Sequence, residues 1–185
     1  MVSGTGRPRV VLIGPPGSGK TTVGEQVASR LGLALRDTDR AIEQAAGRSI
    51  SEIFVEDGEA TFRALERREV QTSLAGHEGV LSLGGGSVLD EDTQRLLAGH
   101  TVVYLQVGIA DAAKRVGFDR SRPLLALQPH PGRARLQREQ RAAWVRLMDQ
   151  RRGIYERLAV HCVDTAGRTP EDIAAEIVTL LEDTP

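Results

Sequence analysis

The stretch Gly14-Pro15-Pro16-Gly17-Ser18-Gly19-Lys20-Thr21 matches the pattern G-x-x-x-x-G-K-[ST], and nothing else in the chain restricts the fold so tightly. The pattern needs a strand before it and a helix after it. Arg9–Ile13 ends in an apolar, largely β-branched run that reads as a buried strand, and Thr21–Leu31 reads as a helix stopped by Gly32. In that setting the glycines let backbone N–H groups wrap a polyphosphate at the positive end of the helix. Lys20 then reaches the β- and γ-phosphates and the Thr21 hydroxyl ligates Mg²⁺, with Gly17, Ser18, Gly19 and Thr22 completing the cradle. Only two of the 24 basic residues are lysines, Lys20 and Lys114, so a lysine at this one position is not a compositional accident. The expected chemistry is Mg²⁺-dependent phosphoryl transfer with ATP as donor.

Competing readings of the motif fail on single residues. A dinucleotide fingerprint needs Gly or Ala where Thr22 stands. A guanine-reading N-K-x-D needs a lysine, and neither lysine sits in one. There is no G-x-S-x-G for a hydrolase triad, and His77, His100, His130 and His161 are too scattered for a zinc site.

The rest of the chain alternates strands with helices. Further strands are expected at Leu33–Arg36, Val80–Leu83, Thr101–Val107 and Ala159–Val163. A capping box at Ser49 and Glu52 opens a short helix, and Asp57 with Gly58 marks a longer one from Glu59 to Ala75. A loop spans Gly117–Arg133, a long helix then runs to Leu158, and Thr169, Pro170 and Asp172 open the last helix. The pattern implies an α/β domain with a parallel sheet covered on both faces and ligands beyond the C-terminal strand ends. Residues 1–185 read as one domain without repeats. No run is apolar enough to cross a bilayer, Val10–Ile13 is too short for a signal peptide, and Cys162 is alone. A cytoplasmic protein is expected, and a net charge of −1 offers nothing to nucleic acid or membrane.

The acceptor side is drawn from three strand ends. Asp37 and Asp39 are two apart on a segment read as extended, so both side chains point the same way. One can hold the hydration shell of Mg²⁺ while the other accepts a hydroxyl proton; turn chemistry or a helix N-cap is the alternative. Gly84, Gly85 and Gly86 offer backbone donors or a plain tight turn. Trp144, Leu147, Met148, Arg151 and Tyr155 share one face of the long helix, so Arg151 lies on an apolar stripe and needs a carboxylate or a bound anion. Arg63 stands three residues before Glu66, which can orient it. Two such arginines point to an acceptor carrying a carboxylate as well as a hydroxyl, or else to structural ion pairs. Arg122 before Pro123 can reach a transferring phosphoryl group or sit solvated, and the arginines of 133–146 read as a solvated helix face.

Together the segments GPPGSGKT, DTD (Asp37–Asp39), FRALE (Phe62–Glu66), LGGGSV (Leu83–Val88), RPLL (Arg122–Leu125) and QRRGIY (Gln150–Tyr155) resemble the shikimate kinase family over nearly the whole chain. The resemblance implies a P-loop nucleoside-monophosphate-kinase-like three-layer fold with a five-stranded parallel sheet in order 2-3-1-4-5. It implies an acceptor-binding subdomain near 38–77, a lid near 117–133, and ATP-dependent phosphorylation of the shikimate 3-hydroxyl by a monomer. Asp39, Arg63, Gly84, Gly85, Gly86 and Arg151 would bind shikimate, with Asp39 contacting the attacking hydroxyl. Lys20 and Arg122 would stabilise the transferring phosphoryl group, Thr21 and Asp37 would serve Mg²⁺, and Arg115, Arg168 and Pro170 would flank the adenine. The chain departs from the family between Arg122 and Arg151, a span of 29 positions (151 − 122), where Leu127–Arg141 reads as an insertion. The assignment to Arg151, rather than Arg152, rests on the following Gly153-Ile154-Tyr155. Alternatives are another small-molecule kinase of this fold, for gluconate or a nucleotide, without special need of the arginine pair, and a nucleotide-binding regulatory module.

Overall fold

A computed structural model describes residues 6–108, 111–112 and 133–183 of the chain. Five strands form one sheet: β1 (Val10–Ile13), β2 (Leu35–Asp37), β3 (Val80–Ser82), β4 (Val102–Gln106) and β5 (His161–Asp164). Their order is β2-β3-β1-β4-β5 and every pairing is parallel, as the alternation of strands and helices requires. The helices are α1 (Lys20–Leu31), α2 (Thr38–Ala46), α3 (Ile50–Glu56), α4 (Gly58–Gly76), α5 (Glu91–Leu97), α6 (Arg133–Leu158) and α7 (Pro170–Glu182), with a 3₁₀ turn at Ser87–Leu89.

β1 is central, and all four of its side chains are at most 1% exposed because both sheet faces are covered. Its side chains alternate between two cores. Val10 and Leu12 pack with Val103, Leu105, α1 and α7, whereas Val11 and Ile13 pack with Leu81, Tyr104, α4 and Tyr155 of α6. A smaller core of Ile42, Ile53 and Phe62 joins α2, α3 and α4 beyond the sheet edge.

Element boundaries differ from expectation where a residue completes a neighbouring motif. Leu33 was expected to open β2. It instead donates its N–H to Ala28 O (2.9 Å) past Gly32, whose φ of 65° ends α1 in a Schellman-type turn. Ala159 likewise closes α6 on Tyr155 O, so β5 begins at His161. Asp57 does not cap α4 with its side chain; it terminates α3 and pairs with Arg48. The capping box at Ser49 and Glu52 forms with both of its hydrogen bonds. Helix α5 was unanticipated, although Asp90 accepting from Thr93 N (2.8 Å), followed by Glu91 and Asp92, is an ordinary start signal.

The largest correction concerns Asp37–Asp39. The segment is not extended throughout, because α2 starts at Thr38 with Asp37 as its N-cap (φ −109°, ψ 121°) and Asp39 in its first turn. The two carboxylates are therefore placed by a strand end and a helix start, not by strand alternation.

Ile177 is fully buried between α7 and the sheet. Ile177→Ala removes three methyl(ene) groups from a site that cannot fully collapse and is expected to cost about 2–5 kcal/mol in chemical denaturation. An unchanged midpoint would mean that α7 contributes little to the core.

Candidate active site

The loop between β1 and α1 is built on glycines with positive φ. Gly17 (83°) and Gly19 (90°) hold the left-handed region, and Gly19 is the N-cap of α1 without any side-chain cap. The first amides of α1 are thus left for a ligand. Gly14 cannot carry a side chain, since a Cβ there would lie 2.8 Å from both Leu105 O and Ser18 Oγ. The Ser18 hydroxyl is buried and makes no hydrogen bond among the described residues. Lys20 folds back over the loop and donates to Gly14 O (2.8 Å) and Pro15 O (3.0 Å).

Asp37 divides its carboxylate between two tasks. Oδ1 accepts from Asp39 N (3.1 Å) and Arg40 N (3.2 Å), capping α2. Oδ2 accepts from Thr21 Oγ1 (2.7 Å) and from Ser82 Oγ (3.0 Å), joining α1, β2 and β3 at one point. The helix-cap reading of Asp37 is thus met by Oδ1, while Oδ2 faces the hydroxyl of Thr21 beside the phosphate loop.

The three glycines after β3 do not act alike. Gly84 is buried and donates its N–H to Thr38 Oγ1 (2.9 Å), so it is not a donor to the cavity. A Cβ at Gly84 would strike the Asp39 carboxylate, at Gly85 would lie 2.8 Å from Pro16 Cδ, and at Gly86 would lie 2.5 Å from Arg63 Nη1. The run is glycine because three functional groups press against it from three elements.

Glu66 is 4% exposed and holds two partners, Arg63 Nη1 (2.7 Å) on Oε2 and Ser87 Oγ (3.0 Å) on Oε1. Arg63 also bridges Glu59 and covers the Phe62 ring. Burial works against the Arg63 charge, but Glu66 and Glu59 outweigh it and hold its pKa above the ordinary value. Arg151 is different. Burial lowers its pKa, Arg63 opposes its charge, and its buried Nε makes no hydrogen bond among the described residues. Arg152, by contrast, is exposed beside Asp149 (3.6 Å). The guanidinium that faces inward is that of Arg151.

These groups line one cavity of about 750 Å³. Gly17, Gly19, Lys20, Thr21 and Thr22 form its phosphate-loop side, and Asp37, Asp39, Arg63, Gly85, Gly86 and Arg151 its far side. Phe54, Phe62, Trp144 and Leu147 supply an apolar wall. Leu147 was expected to be buried with Trp144 and Met148, yet it is 39% exposed because it lines this wall. Arg168 lies elsewhere, clamped to Asp164 O (3.1 Å) and Glu176 (2.5 Å) beside Thr169, which caps α7 ahead of Pro170. Arg115, Arg122 and the segment 117–132 lie outside the described residues, and with them the first part of the inferred insertion, whose remainder from Arg133 belongs to α6. Sequence reasoning missed Ser82, Thr38, Ser87 and the Tyr155 hydroxyl. Each stands beside a recognised motif, but nothing in spacing along the chain says which hydroxyl meets which carboxylate.

The glycine contacts separate the two halves of the site. Gly85→Ala must displace Pro16 of the phosphate loop and is expected to raise the KM of both nucleotide and acceptor, whereas Gly86→Ala must displace Arg63 and is expected to raise that of the acceptor alone. Steady-state kinetics of both variants check this; equal effects of both on both substrates would contradict the division.

The family model for shikimate kinase matches residues 16–182. Shikimate kinases of Streptomyces avermitilis and Thermobifida fusca are 51% and 55% identical, covering 95% and 93% of this chain and 96% and 93% of their own. A shikimate kinase from Acinetobacter baumannii, solved in complex with shikimate, superposes with a TM-score of 0.85 at 29% identity, covering 97% of this chain and 94% of that one. A gluconokinase from Sinorhizobium meliloti shares the fold only, at a TM-score of 0.51 and 20% identity. With the same motifs converging on one cavity, the chain belongs to the shikimate kinase family.

Proposed function

We propose that this enzyme transfers the γ-phosphoryl group of ATP to the 3-hydroxyl of shikimate, releasing shikimate 3-phosphate and ADP. The observation that carries this reading is Arg151, a half-buried guanidinium whose Nε has no hydrogen-bond partner among the described residues, in the cavity that Lys20 and Thr21 also line. A buried cation of this kind calls for an anion, and a planar carboxylate fits a guanidinium bidentately. Arg63, pre-oriented by Glu66, supplies a second donor. The acceptor would thus be held by its carboxylate with a hydroxyl directed toward Asp39 and the phosphate loop. Asp39 accepts the proton of that hydroxyl, and Gly85 and Gly86 border the acceptor.

The donor side follows from the loop. The amides at the start of α1 and the buried Ser18 hydroxyl suit phosphate oxygens, and Lys20 exchanges two carbonyl partners for the β- and γ-phosphates. The described residues hold no cluster of three His, Cys, Asp or Glu side chains that would grip a metal alone. The Thr21 hydroxyl backed by Asp37 is nonetheless the donor set expected for Mg²⁺, which keeps most of its waters and takes few protein ligands. Bound there with ATP, Mg²⁺ would neutralise charge on the phosphates. Arg122 and Arg115 are proposed to close over the phosphates and the adenine from the lid near 117–133, with Arg168 and Pro170 behind the base. The α2–α4 unit with its own core of Ile42, Ile53 and Phe62 supports an acceptor-binding subdomain near 38–77. The enzyme is proposed to act as a cytoplasmic monomer on small molecules, without nucleic-acid or membrane partners; no described helix is long and apolar enough to cross a membrane.

The test is ADP release from Mg-ATP with shikimate, gluconate or AMP as acceptor. Gluconate also carries a carboxylate, so direct comparison of acceptors, not the arginine pair, separates it from shikimate. Turnover with shikimate alone is expected, and activity only with another acceptor would overturn the proposal. Asp39→Asn is expected to lower kcat by roughly 10²–10⁴ with little change in ATP affinity. Arg151→Ala is expected to raise the acceptor KM more than the ATP KM, and the reverse order would contradict its role. Chelation of Mg²⁺ is expected to abolish turnover.

A further inference from the structure

Tyr155 has no place in the chemistry described so far, yet its hydroxyl is bonded to the glycine loop and stands one helical turn from Arg151. It lies one helical turn beyond Arg151 on α6, on the same face. Its ring is 1% exposed and stacks on Tyr104 of β4, with centroids 5.2 Å apart and planes at 16°. It belongs to the core that includes Ile13, Leu83 and Val88. A ring so packed is immobile on the scale of the site.

The hydroxyl donates to Gly85 O at 2.6 Å. That carbonyl belongs to the Gly85–Gly86 peptide, which is planar and trans, so fixing the C=O also fixes the Gly86 N–H in the opposite direction. Glycine has no side chain to restrict this peptide, and two nearby amides are engaged elsewhere: the Gly84 N–H is taken by Thr38, and the Ser87 N–H returns to Gly84 O. Arg151 stands one turn earlier on the same face of α6, where the phenol oxygen favours its charge, while burial keeps the phenol protonated far above its usual range. A single hydroxyl thus stands between the loop after β3 and the cation on α6.

We infer that Tyr155 is a positioning residue for the acceptor, holding the Gly85–Gly86 peptide and the Arg151 guanidinium in register with each other. The inference rests on the proposed acceptor reading of this cavity. It assigns no proton transfer to Tyr155, which acts through the two groups it holds.

The experiment is Tyr155→Phe, which keeps the ring stack on Tyr104 and removes only the oxygen. Loss of one hydrogen bond of ordinary strength predicts a rise of roughly three- to tenfold in the shikimate KM, with the ATP KM unchanged. Trp144, the single tryptophan, lines the same cavity and gives a second readout, since shikimate titration of its fluorescence needs no turnover. The dissociation constant is expected to rise by the same factor. Both measurements are made well below the variant's Tm. An unchanged shikimate constant, or equal rises for shikimate and ATP, would overturn the inference, whatever happens to Tm. Failure of the wild-type enzyme to bind or turn over shikimate would instead overturn the functional reading beneath it.

Discussion

The Asp37 carboxylate is the joint on which this site depends. Oδ1 takes two amides at the start of α2, and Oδ2 takes the hydroxyls of Thr21 and Ser82. One short side chain therefore registers the phosphate loop, the acceptor-side helices and the middle of the sheet. Hydrogen bonds to an ionised acceptor are stronger than neutral ones, and four donors on one carboxylate leave little freedom for any of the parts. The arrangement also explains why Asp39 faces the cavity although strand alternation does not place it there: the cap turns the chain into a helix, whose first turn points Asp39 back toward Gly84.

Charge in the cavity is balanced unevenly. Arg63 is answered by Glu66 and Glu59, and Arg40 by Glu25 at the rim. Among the described residues, Arg151 faces burial and the repulsion of Arg63, eased by Tyr155 and more weakly by Glu66. A protein interior tolerates such a cation when a ligand anion completes it. The apolar wall of Phe54, Phe62, Trp144 and Leu147 strengthens that attraction by excluding water. It also accounts for Leu147, a large apolar residue that the other described residues leave exposed.

Much of the fold was legible along the chain. The run Val10–Ile13 before a glycine-rich turn, the capping box at Ser49, and Gly32 after Leu31 are local signals, and each reports an interaction between residues a few positions apart. Those signals located the strands and most helices. They missed α5, although Asp90 caps it in the ordinary way, and they misplaced the first residues of β2 and β5, which are shared with the preceding helix ends. The cores, alternating between Val10 with Leu12 and Val11 with Ile13, follow from the period of a strand covered on both faces.

The sequence by itself determined the phosphate loop, the pairing of Arg63 with Glu66 and the commitment of Arg151 to an apolar stripe, because each depends on short spacing and side-chain type. Tertiary structure alone decided that Thr21, Asp37 and Ser82 meet, that Gly84 gives its amide to Thr38 while Gly85 and Gly86 border the cavity, and that Tyr155 reaches a carbonyl 70 residues away. The physical reason is that hydrogen bonds between distant segments depend on sheet order and register. Every pair in this sheet is parallel, so each crossover carries the chain away through a helix before it returns, and the strand ends that compose the site are never neighbours in sequence.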